Sequence, residues 1–187
     1  MTHVAIIGGG PGGYEAALIA RRLGAEVTIV DRDGLGGSTV LTDCVPSKTL
    51  IATSDLLTEV GSSAELGVQV PSSVRADLSA VNQRVLELAA AQSSDIGERM
   101  AAAGVTVLSG TGRVAAANTV VATTATGNAT IEADGILIAT GAHPRVVDSA
   151  QPDGERILTW EQIYNLSELP THMIVVGSGV TGAEFAS

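Results

Sequence analysis

The chain has 187 residues, 10 Lys+Arg against 20 Asp+Glu, a net charge of -10 and one cysteine. A hydrophobic share of 45% supplies a buried core for one or two domains. One thiol excludes an intramolecular disulfide framework and a multi-cysteine metal site, which points to a cytoplasmic setting; a pI near 4.6 without a basic cluster excludes a nucleic-acid surface.

The first apolar run, Val4 to Ile7, stops at Gly8, too early for an export signal and far too short to span a membrane. It reads as a buried parallel strand entering a glycine turn. Tyr14 to Leu23 then reads as a helix closed by Gly24, and Glu26 to Asp31 as the next strand. A Gly-rich loop, Gly34 to Ser38, leads to Cys44-Val-Pro-Ser-Lys48 and a helix up to about Val60, with Pro46 in the first turn, where its missing N–H costs nothing. Asp77 to Ala103 is a long helix with Leu78, Val81, Val85, Leu88, Ile96 and Met100 on one face. From Val105 to Ile138, short Val/Ala/Thr runs broken by Gly110, Gly112, Asn118 and Gly127-Asn128 read as a strand and a small antiparallel meander. Gly135 to Gly141 is apolar and returns to the parallel sheet. Gln151 to Leu169 carries Pro152 and Gly154 and reads as a connection between domains.

His3 to Ala17 aligns without gaps with His172 to Ala186. Both copies read as strand, glycine turn and helix. The fold class is therefore α/β and Rossmann-like: residues 1–150 form a nucleotide domain with a parallel sheet and a meander, 151–171 connect, and 172–187 open a second, truncated domain of the same kind.

The first turn has Gly8, Gly10 and Gly13, with Pro11 and Gly12 between them. The first glycine permits the turn, the second lets a pyrophosphate approach the backbone, and the third packs helix on strand. Asp31, at the end of the next strand, is placed for ribose hydroxyls. Gly177, Gly179 and Gly182 repeat the pattern. Cys44 precedes a helix N-terminus, which stabilises a thiolate, while Asp43 opposes it. Lys48 is the chain's single lysine, one turn beyond Cys44. His3, His143 and His172 show no ligand spacing and read as structural or surface residues, so no metal site is expected.

In the order and spacing of Gly8 to Gly13, Asp31, Gly36-Gly37-Ser38, Cys44 to Lys48, Gly110-Thr-Gly112, Ala139 to Arg145 and Gly177 to Glu184, the chain resembles the pyridine nucleotide-disulfide oxidoreductases along its whole length. The resemblance implies FAD on the first motif, NADH or NADPH on the second, and a homodimer formed through a C-terminal domain outside these residues. It implies that Gly8 to Gly13 face the FAD diphosphate and that Asp31, with Arg32 beside it, faces the adenosine ribose. Gly36, Gly37, Ser38 and Thr39 fall on the flavin side, Gly112 at the adenine, and Ala139, Thr140 and Gly141 near the diphosphate. Lys48 would approach flavin N5 and pair with Glu184.

The family's disulfide reductases carry two cysteines here, whereas this sequence has Thr39 at the first position and Cys44 at the second. No dithiol forms, so electrons pass from reduced FAD directly to a diffusible acceptor, for which a quinone is the natural class. The alternatives are a dihydrolipoamide dehydrogenase-like enzyme, a single-cysteine peroxide or disulfide reductase cycling Cys44 through sulfenic acid, and a non-catalytic flavin-binding subunit.

Overall fold

The β-branched runs His3–Ile7 (β1) and Glu26–Asp31 (β2) form adjacent parallel strands that pair Ile6 with Ile29 and Ile7 with Val30. Ile6, Val27, Ile29 and Val30 are at most 1% exposed, as strands covered on both faces require. Between them lies helix α1, Pro11–Arg22. It starts three residues before the predicted Tyr14 because Pro11 occupies its first turn, where a fixed φ favours the helix and no N–H is needed. Gly24, at φ +86°, closes the turn after it.

The computed structural model describes residues 1–71 and 74–187. Its further strands are β3 (Thr106–Ala116), β4 (Thr119–Thr124), β5 (Gly127–Glu132) and β6 (Gly135–Ile138), in the sheet order β5-β4-β3-β2-β1-β6. β6 pairs parallel with β1, as its apolar pattern predicts. β3 runs parallel to β2 through Ser109 and antiparallel to β4 from Gly110 onward. Gly110 and Gly112 therefore do not break the strand, contrary to expectation. A Cβ on Gly110 would sit 2.3 Å from the Thr123 carbonyl oxygen, and one on Gly112 3.0 Å from Ile7. Both glycines serve close approach, so β3 runs through the change of partner.

The meander is bound to the parallel strands by one apolar cluster, Ala5, Ile7 and Val30 with Val120, Ala122, Ile131 and Ala133. Burying each Ile or Val side chain is worth about 1.5–3 kcal/mol. His3 closes the edge of this layer: its ring bonds the Glu132 carbonyl oxygen at 2.7 Å and Thr28 Oγ1 at 3.0 Å, a structural role.

Three more helices follow, α2 (Gly37–Leu41), α3 (Cys44–Ser62) and α4 (Leu78–Ala102). α2 lies partly in the predicted loop: Gly36 and Gly37, at φ +101° and +57°, turn the chain, and the residues after them close a helical turn. In α3, Thr49, Thr53 and Thr58 each donate a hydroxyl to the carbonyl four residues back, which satisfies those side chains within the helix.

The chain divides into two compact units, Met1–Leu41 with Ala90–His143, and Thr42–Ala89 with Pro144–Ser187. The first holds the sheet and α1. In the second, the expected connection contains a 3-10 helix, Trp160–Asn165. It opens where the Thr159 N–H donates to Gln162 Oε1 at 2.9 Å, and is held at its end by Asn82 Nδ2 donating to the Leu166 carbonyl at 2.7 Å. The repeat's helix forms as α5, Val180–Ala186, but its predicted strand does not. Ile174 and Val176 are 78% and 92% exposed. A parallel strand exists only through its ladder, and no strand among the described residues pairs with this segment. Among the described residues no helix is long and apolar enough to cross a membrane, and no cluster of His, Cys, Asp and Glu could hold a metal ion.

Candidate functional site

Within the first unit, three glycine-bearing segments meet at the C-terminal ends of β1, β2 and β6. The Gly36 N–H donates to the Gly9 carbonyl at 2.8 Å, and the Ala139 N–H donates to the Ile7 carbonyl at 2.8 Å. A Cβ on Gly8, at φ +106°, would lie 2.2 Å from the Ala139 carbonyl oxygen; one on Gly37 would lie 2.8 Å from Gly10 Cα. These glycines are packed against backbone, so no side chain fits. Gly12 is the opposite case: a Cβ there meets nothing within 4 Å. The turn is closed on its inner side and open at the start of α1, whose first turn carries no acidic residue. A helix start that is open at Gly12 and has no acidic residue in its first turn suits an anion. This cradle fits the diphosphate of a dinucleotide.

Asp31 does more than the pattern predicts. Its Oδ2 accepts from the Gly9 N–H at 2.6 Å, while Oδ1 accepts from Gly34 at 2.6 Å and Asp33 at 3.0 Å. The carboxylate therefore ties the β1 turn to the loop after β2. Arg32 pairs with its neighbour Asp33 at 2.9 Å on the surface; that bond holds the Asp33 carboxyl below the ordinary carboxylate value. Gly112 lies beneath the cradle against Ile7 and Val30. Ser38 and Thr39 sit in α2, and Thr140 and Gly141 are exposed beyond β6. Asp31→Ala strips three N–H groups of their acceptor and is expected to cost about 1–3 kcal/mol. A thermal melt checks it, with Asp31→Asn, which keeps an acceptor, falling less.

The second unit brings Lys48 and Glu184 together, 136 residues apart in sequence. Lys48 Nζ donates to Glu184 Oε1, and its side chain is 59% exposed against 17% for Glu184. The bond to Glu184 raises the Lys48 ammonium above the ordinary lysine value. Lys48, then the Ser47 hydroxyl, hold the Glu184 carboxyl below the ordinary carboxylate value. Ser47 is buried in the first turn of α3 and also lies 3.5 Å from Lys48 Nζ. Sequence reading passed over Ser47, whose only signal was its place beside Lys48. Cys44 is the first residue of α3, exposed and free.

The second glycine turn reproduces the first. Gly10 and Gly179 cap their helices at φ -68°, ψ -178° and φ -75°, ψ -178°. A Cβ on Gly13 would lie 1.9 Å from the Gly8 carbonyl oxygen, and one on Gly182 2.2 Å from that of Gly177. The matching backbone makes the repeat structural as well as textual.

A parallel strand, a turn of this geometry, a helix and a carboxylate ending the next strand define a Rossmann-type dinucleotide-binding α/β protein. The family model of pyridine nucleotide-disulphide oxidoreductases matches residues 2–187, and the chain belongs to that family. It is 50% identical over 196 aligned residues to an NAD(P)H dehydrogenase (quinone) of Mycobacterium tuberculosis, an alignment covering 99% of this chain and 40% of the relative. It is 37% identical over 184 residues to a dihydrolipoyl dehydrogenase of Chlorobaculum parvum, covering 98% of this chain and 39% of the relative. The crystal structure of LpdA from Mycobacterium tuberculosis superposes with a TM-score of 0.92 at 49% identity, over 99% of this chain and 41% of that one. The chain thus spans about two fifths of the length of these relatives.

Proposed function

We propose that the chain belongs to an oxidoreductase that passes a hydride from NADH or NADPH through FAD to a quinone without a redox-active disulfide. Residues 1–150 are the FAD-binding part, 151–171 the connection and 172–187 the opening of the NAD(P)H-binding part. FAD, when bound, accepts the hydride and releases two electrons. The chain's residues hold and tune it: Gly8, Gly10, Pro11, Gly12 and Gly13 at the diphosphate, Asp31 and Arg32 at the ribose, Gly112 at the adenine, and Ala139, Thr140 and Gly141 along the chain of the cofactor. Gly36, Gly37, Ser38 and Thr39 serve the flavin end. Lys48 supplies a positive charge, fixed by Glu184, that favours the reduced cofactor. Gly177, Gly179 and Gly182 receive the nicotinamide nucleotide. The whole protein is a cytoplasmic homodimer formed through a C-terminal domain.

The carrying observation is the intact Lys48–Glu184 pair beside a lone thiol, Cys44, with Thr39 where a dithiol needs its first sulfur. The charge that serves hydride transfer is kept, whereas the relay to a disulfide substrate has no second thiol. The 50% identical relative from Mycobacterium tuberculosis is an NAD(P)H dehydrogenase (quinone), which supports the same acceptor class. Anaerobic titration of the full-length, FAD-loaded protein with NADPH or NADH tests it. The expected result is two electrons per FAD and turnover with a benzoquinone; uptake of four, or turnover with lipoamide, overturns it. The exposure of Cys44 favours a second reading, a single-cysteine reductase. Cys44→Ser separates the two, because quinone turnover is expected to survive it.

A further inference from the structure

The two partners of the ion pair come from distant parts of the sequence, so something must fix the short helix that carries Glu184. α5 is only seven residues long and follows a segment with no strand ladder, and its own hydrogen bonds are too few to hold it. Besides α3, which carries Lys48, it meets Tyr164 in the 3-10 helix. The Tyr164 ring meets Phe185, the residue after Glu184, edge to face with centroids 6.0 Å apart and planes at 61°. Tyr164 is 4% exposed although its hydroxyl has no partner among the described residues. Burial, then the charges of Asp43 and Glu184, keep the phenol protonated well above its ordinary value. An unpartnered buried hydroxyl opposes folding, whereas burial of the ring and its edge-to-face contact with Phe185 favour keeping this residue in place.

The 3-10 helix is itself anchored. Asn82, buried on α4, donates Nδ2 to the Leu166 carbonyl at 2.7 Å, and the Thr159 N–H bonds the Gln162 side chain at the other end. Three contacts joined by short stretches of backbone therefore link α4 to α3: Asn82 to Leu166, Tyr164, two residues before Leu166, to Phe185, and Glu184, next to Phe185, to Lys48.

We infer that Tyr164 is a positioning residue: its ring, seated on Phe185 and anchored through Asn82, sets the Glu184 carboxylate against the Lys48 ammonium. The inference rests on the proposed function only for its catalytic consequence. Three variants of the full-length, FAD-loaded protein test it. Tyr164→Ala removes the ring, Phe185→Leu keeps apolar volume without the edge-to-face contact, and Tyr164→Phe keeps the ring without the orphaned hydroxyl.

Crystal structures of the variants read the geometry directly. The Lys48–Glu184 bond is expected to be lost in Tyr164→Ala and Phe185→Leu and retained in Tyr164→Phe. Persistence of the bond without the ring overturns the inference, as does its loss in Tyr164→Phe. Anaerobic stopped-flow reduction by NADPH reads the consequence: about tenfold slowing in the first two variants, from misplacing a charge at the reacting centre, and a wild-type rate in Tyr164→Phe. With Lys48→Met in the background, Tyr164→Ala is expected to add no further slowing, because both act through one pair; independent, multiplying effects overturn the inference. If Lys48→Met leaves reduction unchanged while the bond still depends on the ring, the proposed function of the pair fails and the positioning stands.

Discussion

Lys48→Met in the full-length, FAD-loaded protein is expected to slow cofactor reduction by NAD(P)H by about a hundredfold or more, with FAD still bound. Removing one oriented charge from a reacting centre typically costs about 10²–10³ in rate. Methionine keeps most of the stem, so the loss reports the ammonium. Glu184→Gln is expected to cost less, since Lys48 keeps its charge and loses its fixed position. The pH dependence has a definite sign. Glu184 is held below the ordinary carboxylate value, so its half of the pair is lost only as pH falls through that lowered value. Lys48 is raised, so its half is lost only as pH rises beyond the ordinary lysine value. The wild-type reduction rate should therefore be flat across neutral pH with respect to this pair. Stopped-flow rates over that range check it, and a limb near pH 7 that vanishes in Lys48→Met contradicts it.

The pair also shows why some of this molecule is legible in its sequence and some is not. Local chemistry wrote the first strand–turn–helix unit: apolar β-branched runs gave β1 and β2, and three glycines and Pro11 gave the turn and the start of α1. The β2 boundaries match the expectation because a charge at Glu26 and Asp31 marks each end of the buried run. Gly110 misled, since a glycine needed for the close approach of Thr123 looks in sequence like one needed for a turn. His172–Val176 misled differently: the residues favour a strand, but a ladder is a property of two segments and its partner is absent among the described residues. Glu184 was visible through the family pattern, whereas Ser47 and Tyr164 were not. Their roles come from packing between helices far apart in sequence, and neither belongs to a spacing rule.

Gly13→Ala is expected to destabilise the protein by roughly 3 kcal/mol or more, the upper range for forcing atoms into a packed site. The new Cβ would stand 1.9 Å from the Gly8 carbonyl oxygen and 3.0 Å from its carbon, both backbone atoms of the same turn. Neither can rotate away, so relief requires α1 to lift off β1, uncovering Ile6, whose side chain lies 3.5 Å from the same Cβ. For a chain of this size the melting temperature falls by roughly 6–12 °C. Gly182→Ala makes the same clash with Gly177, at 2.2 Å, but on a seven-residue helix without a strand beneath it, so the global melt should barely move. Gly12→Ala is the discriminating control. Its Cβ meets nothing within 4 Å and alanine favours a helix by about 1 kcal/mol over glycine, so the unliganded protein should be as stable as wild type or slightly more so. If the open side of the turn is where the FAD diphosphate lies, that same methyl occupies its space, and FAD affinity should fall while the unliganded melt does not. A Gly12→Ala protein that retains wild-type FAD affinity would place the diphosphate elsewhere, because no other feature of the turn distinguishes Gly12 from a position that tolerates a side chain.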